Sequence, residues 1–72
     1  MNELNKLQYY IMCVSAFSDK KGLSPQYAFN YLYEHDGIRF LIDCYDAEHT
    51  LSINDAVEDL SLVCKNNGGT IE

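Results

Sequence analysis

Basic residues are scarce in this sequence. Lys6, Lys20, Lys21, Arg39 and Lys65 stand against eleven acids, for a formal charge of −6, and only Lys20 and Lys21 are adjacent. Nucleic-acid binding needs clustered Lys and Arg to neutralise phosphates, and that footprint is missing. Anionic membranes are disfavoured on the same ground. The natural complement of such a chain is a basic protein, or a protein with a basic site to be covered. Cysteine is also sparse: Cys13, Cys44 and Cys64 are scattered singly, odd in number, with no C-x-x-C. No apolar run approaches the ~20 residues of a membrane span. The opening Met1-Asn2-Glu3 places an acid where a leader peptide carries bases. These absences predict a cytoplasmic protein with reduced thiols.

What is present is apolar and aromatic. Of the 72 residues, 47% are hydrophobic, with six tyrosines and three phenylalanines. That is enough for a core and too much for a disordered tail. The length allows one domain, whose core contributes a net stability of roughly 3–5 kcal/mol.

The pattern is helical throughout. Leu4, Leu7, Ile11, Val14 and Phe17 recur at three and four over about residues 2–21, widened by Tyr10, Cys13 and Ala16. Glu3 in the first turn and Lys20 and Lys21 in the last suit the helix dipole, and Gly22 is placed to stop the helix. Ser24-Pro25 reads as N-cap and first helical residue of a second helix, with Tyr27, Ala28, Tyr31 and Leu32 inward. It should end near His35, since Asp36-Gly37 is a turn signal. A third helix is predicted over about Gly37–Tyr45, with Ile38, Leu41, Ile42 and Tyr45 inward. The stretch 46–51 is a connection with room for one helical turn. A fourth helix follows Ser52, where Asp55 completes a capping-box-like pair, and carries Ile53, Val57, Leu60 and Cys64 inward. Asn66-Asn67-Gly68-Gly69 stops it. Strand-like alternation, internal repeats and linkers are missing. The expectation is one all-α domain over 1–72, a small bundle of about four helices with short connections, ordered over about 3–66 and frayed over 67–72.

Few residues are equipped for chemistry. Cys44, Asp46 and His49, with His35 and Asp36 nearby in sequence, include every usual metal-ligand type. Only Asp46 and His49 have converging spacing, whereas a site needs three or four ligands. His49 reads more simply as a helix-end side chain bonded to a backbone carbonyl. Cys13 and Cys64 lie on apolar stripes and read as buried small hydrophobes. Cys44 lacks a visible thiolate-stabilising neighbour. Gly68-Gly69 sits outside any phosphate-loop context. A helix-turn-helix across Asp36-Gly37 would bring Asp36 and Asp43 to DNA with Arg39 alone in support. No cofactor, metal or catalytic set is therefore expected.

The tyrosines point elsewhere. A core of this size cannot bury all six with their hydroxyls satisfied, so several belong at the rim, where tyrosine favours protein interfaces. Tyr9, Phe29 and Tyr33 fall off the inward stripes and are the apolar interface candidates. Asp55, Glu58 and Asp59 on the last helix are the acidic ones, with a plain solvated face as the simpler reading.

Three stretches carry a resemblance: Tyr10-Ile11-Met12-Cys13-Val14, Gly22-Leu23-Ser24-Pro25-Gln26-Tyr27-Ala28-Phe29, and Gly37 through Thr50. The element Tyr45…His49-Thr50, followed by an acidic helix, is its most specific part. Together they resemble a bacterial family known as domain of unknown function 3791. That resemblance implies a short protein without assigned activity, lying beside a gene whose product resembles an ADP-ribosyltransferase. It further implies an antitoxin-like or accessory role, and it carries no family binding residues. The sequence reading is thus a non-enzymatic, acidic protein-interaction module. A self-associating homodimer is the alternative. A metal or thiol enzyme on Cys44, Asp46, His49 and His35 is the third reading.

Overall fold

The architecture is taken from a computed structural model, which describes residues 2–71 and side chains from Leu4 to Ile71. Expectations about Glu3 and Glu72 lie outside the described side chains. Five helices follow one another: α1 (Asn2–Lys21), α2 (Pro25–Glu34), α3 (Gly37–Asp43), α4 (Tyr45–Glu48) and α5 (Ile53–Asn66). The fold is all-α, as expected.

Local chemistry sets the boundaries. Gly22 takes φ 69°, the left-handed conformation that ends a helix, and the Leu23 N–H donates back to the Ser18 carbonyl at 2.9 Å. Ser24 accepts from the Tyr27 N–H at 3.2 Å, and Pro25 opens α2. Ser52 caps α5 in the same way, accepting from the Asp55 N–H at 3.1 Å. The expected third helix breaks at Cys44, whose backbone (φ −110°, ψ 19°) leaves the helical region. The chain re-enters a single turn, α4, before Ser52. Helix and turn are therefore separate elements at an angle set by Cys44.

The Asp36-Gly37 turn divides its duties unexpectedly. Asp36 takes the left-handed conformation at φ 68°, and Gly37 begins α3 as a buried residue. A Cβ on Gly37 would stand 2.9 Å from Leu32 Cδ2 and 3.1 Å from Cys64 Sγ. Glycine is needed here for the close approach of α2, α3 and α5, while Asp36 adopts the positive φ.

The core joins both ends of the chain. Helix α1 packs on α2 and α5, and α3 packs on α2 and α5. Phe17, Leu32, Leu41, Leu60 and Val57 are fully buried, with Cys13 and Cys64 filling the gaps. Each large side chain stabilises the fold by about 1.5–3 kcal/mol on burial.

The inward face of α1 differs from the expected one. Cys13, Phe17 and Tyr9 face the core, and Tyr9 is only 8% exposed, whereas Leu4, Leu7 and Ile11 face out. Apolar residues occupy more than half of the circumference of α1, so two stripes satisfy the helical period. The aromatic stripe won because Tyr45 on α4 packs edge-on against both Tyr9 and Tyr10, at 5.4 and 6.0 Å between centroids. Tyr27 and Ile42, also expected inside, are exposed. Tyr27 lies on the first turn of α2, outside the buried Ala28–Tyr31–Leu32 face, and seven-residue α3 buries only Gly37 and Leu41.

Residues 67–71, after α5, fold back onto the bundle. The Gly69 N–H donates to the Cys64 carbonyl at 2.7 Å, and the Ile71 N–H donates to the Tyr31 hydroxyl at 3.1 Å. His35 donates through Nδ1 to the Asn67 carbonyl at 3.1 Å.

Candidate functional site

The displaced apolar stripe of α1 is the feature from which a site can be built. Leu7, Tyr10, Ile11, Val14 and Ser15 form one wall of a groove of about 470 Å³. Pro25 and Phe29 on α2 form the other wall, and Ile38 on α3 closes one end. Pro25 and Phe29 reach this place because the Ser24 cap fixes where α2 starts. Among the described residues, no Asp, Glu, Lys or Arg lines the groove. Leu7 is 54% and Ile11 59% exposed, and Phe29 is also open to solvent. Beside the groove, Phe29 stacks on Tyr33 at 6.2 Å, and Tyr33 is 68% exposed. Ile38 continues into a neighbouring depression lined by Tyr33, Glu34, Asp36, Arg39 and Ile42.

The proposed interface residues therefore divide. Phe29 and Tyr33 are exposed and adjacent, as their position off the inward stripe suggested. Tyr9 is corrected: it belongs to the core and offers no surface to a partner. Its neighbours Leu7 and Ile11 are the apolar residues that α1 exposes, and the sequence signal for them was the excess width of the apolar arc.

The acidic candidates do not form one face. Asp55 and Glu58 are exposed on α5, while Asp59 is half-buried and shares a hydrogen bond with Glu48. Glu58 lines a second pocket, of about 360 Å³, with Lys20, Lys21 and Lys65. Three of the five basic residues thus line one pocket, a grouping invisible at their separation in sequence.

Sequence reasoning missed Glu48. It projects from α4 into the core edge, is 6% exposed, and its Oε1 has no hydrogen-bond partner. Burial, followed by the hydrogen bond to Asp59 and the charges of Asp59 and Asp55, pushes its carboxyl up to about 7. The Tyr9 hydroxyl nearby is likewise buried without a partner. Burial, together with Cys13 and Glu48, holds that phenol far above its ordinary range.

The metal and thiol candidates are dispersed. Among the described residues, no three His, Cys, Asp or Glu side chains converge in a ligand group. His49 donates from Nδ1 to the Tyr45 carbonyl at 2.8 Å and stacks on the Tyr45 ring at 4.5 Å. Thr50 Oγ1 donates to the Ala47 carbonyl at 2.7 Å. The Tyr45…His49-Thr50 element thus locks α4 as a turn and presents Tyr45 to α1, with Lys6 Nζ 5.3 Å over its ring. Cys13 and Cys64 are buried and Cys44 is half-buried. Burial raises both buried thiols, Cys64 to about 11, the Gly37 backbone opposing part of the rise at Cys64. Thiols held so far up are poor nucleophiles at neutral pH.

Fold and surface together define a small all-helical domain with an open apolar groove and a divided charge pattern. A family model described as "Protein of unknown function (DUF3791)" matches residues 8–67, and the chain belongs to that family. No curated protein and no solved structure matches the chain.

Proposed function

We propose that this domain is a protein-interaction module whose docking surface is the groove between α1 and α2. One observation supports it above the rest: Leu4, Leu7, Ile11 and Phe29 stay exposed although the sequence gives α1 enough apolar surface to cover a second layer. Exposing such residues costs solubility, and contiguous apolar surface of this kind marks association sites. The groove suits an amphipathic helix, read by its i, i+3, i+4 and i+7 side chains.

A finer reading concerns the charged surface. The described acids lie outside the groove, Asp46, Asp55 and Glu58 among them, in a chain of net charge −6. Such charge steers a basic partner. An antitoxin-like or accessory subunit, covering the basic site of a neighbouring ADP-ribosyltransferase-like protein, has the required chemistry.

The test is the native mass of the tagged chain in its own host's lysate, beside that of a chain carrying Ile11→Lys with Phe29→Ser. Both sites are solvent-exposed, so circular dichroism should be unchanged. The expected result is a complex heavier than one chain that disappears in the variant. A variant complex as abundant as the parent's would remove the groove as the docking surface.

A further inference from the structure

The exposed stripe of α1 has a property that decides what fits it. Exposed Leu4, Leu7 and Ile11 and half-buried Val14 are spaced three, four and three, a pattern that reads the same in both directions. A two-fold axis between Leu7 and Ile11 turns such a stripe onto itself, with Leu4 of one copy opposite Val14 of the other. Two helices meeting this way run antiparallel, the arrangement their dipoles favour.

Charge points the same way. From Leu7 to Ser18, α1 carries no charged residue, and among the described residues the groove walls carry none either. Two chains of charge −6 would repel if their acids met, but this face brings no acid to the axis. A basic helix would find nothing there to pair with, so the face does not select for one. The exposed parts of the stripe, with Phe29 and Ile38, amount to on the order of 500 Å² per copy, or about 1,000 Å² in total, which is the least a specific interface must clear and marks the dimer as a weak one.

We infer that the groove is occupied by α1 of a second copy of this chain, in an antiparallel, isologous dimer centred between Leu7 and Ile11. This rests on the groove being a protein-docking surface, and it names the protein. The dimer leaves the acids of α5 and the lysine-lined pocket free on its outer surfaces.

Sedimentation equilibrium of the purified full chain, from low to several hundred micromolar, tests it. The expected mass is that of two 8.2 kDa chains. Ile11→Lys places two like charges beside the axis and should weaken dimerisation at least tenfold, with unchanged helicity. Oxidising a mixture of Leu7→Cys and Ile11→Cys chains should cross-link the two to each other in preference to like pairs. A single-chain mass across the whole range overturns the inference, as does a dimer indifferent to Ile11→Lys. If the chain is monomeric alone, yet Ile11→Lys abolishes a complex with another protein in lysate, the groove still docks a protein and only the second copy is refuted. If neither assembly depends on Ile11, both ideas fall.

Discussion

Glu48 is the residue whose chemistry reaches furthest beyond its position. Its carboxyl titrates near 7 in the folded chain and near 4.3 when unfolded. Between those values the folded state binds more protons than the unfolded one, so stability falls as pH rises. The contribution of protonated Glu48 is fully present below about pH 4 and is lost through pH 7. Thermal melting should therefore drop by a few degrees between about pH 5 and pH 8. Glu48→Gln keeps a donor for Asp59 without the charge, so this variant should melt higher than the parent at pH 8 and show a flatter pH profile. Equal slopes for parent and variant would refute this role. Nothing in the sequence marked Glu48 out, because its burial depends on the bend at Cys44, which periodicity cannot detect. Phe29 and Tyr33 were legible as surface aromatics, since both lie off the Ala28–Tyr31–Leu32 face that α2 buries, although the same reading placed exposed Tyr27 inside. Tyr9 was not, because α1 offers two stripes.

At the scale of elements, capping chemistry was the most readable signal. Ser24-Pro25, Gly22 and Ser52 each act locally, within a few residues, and each lies where the spacing placed it. Packing was less readable, because it depends on residues distant in sequence. Gly37 shows the difference: the turn signal was correct, but the reason for glycine is the proximity of Leu32 and Cys64. Gly37→Ala should accordingly cost about 1–3 kcal/mol, the usual range for overpacking. Urea unfolding should show a lower midpoint with an unchanged slope. A midpoint equal to the parent's would mean that α2, α3 and α5 part easily at this crossing. The fold-back after α5 was hidden for a related reason. It hangs on Tyr31, a residue forty positions earlier.

For the whole molecule, the order of synthesis follows from one packing relation. Helix α1 rests on α5, which is made after it and after α2–α4. Phe17 and Cys13 share their core with Leu60 and Cys64, so the first helix waits partly uncovered while the rest of the chain is translated. A message cut short before Ile53 would yield a fragment with the outward stripe of α1 bare and its core stripe covered only by α2–α4. Such a fragment should be found in inclusion bodies or degraded rather than as a smaller soluble domain, and co-expression of the α5 peptide should rescue part of it. Recovery of a soluble, helical fragment ending at Ser52 would show that α1–α4 close without α5. Ribosomes that stall late on this message would therefore release a product that quality-control proteases recognise at once.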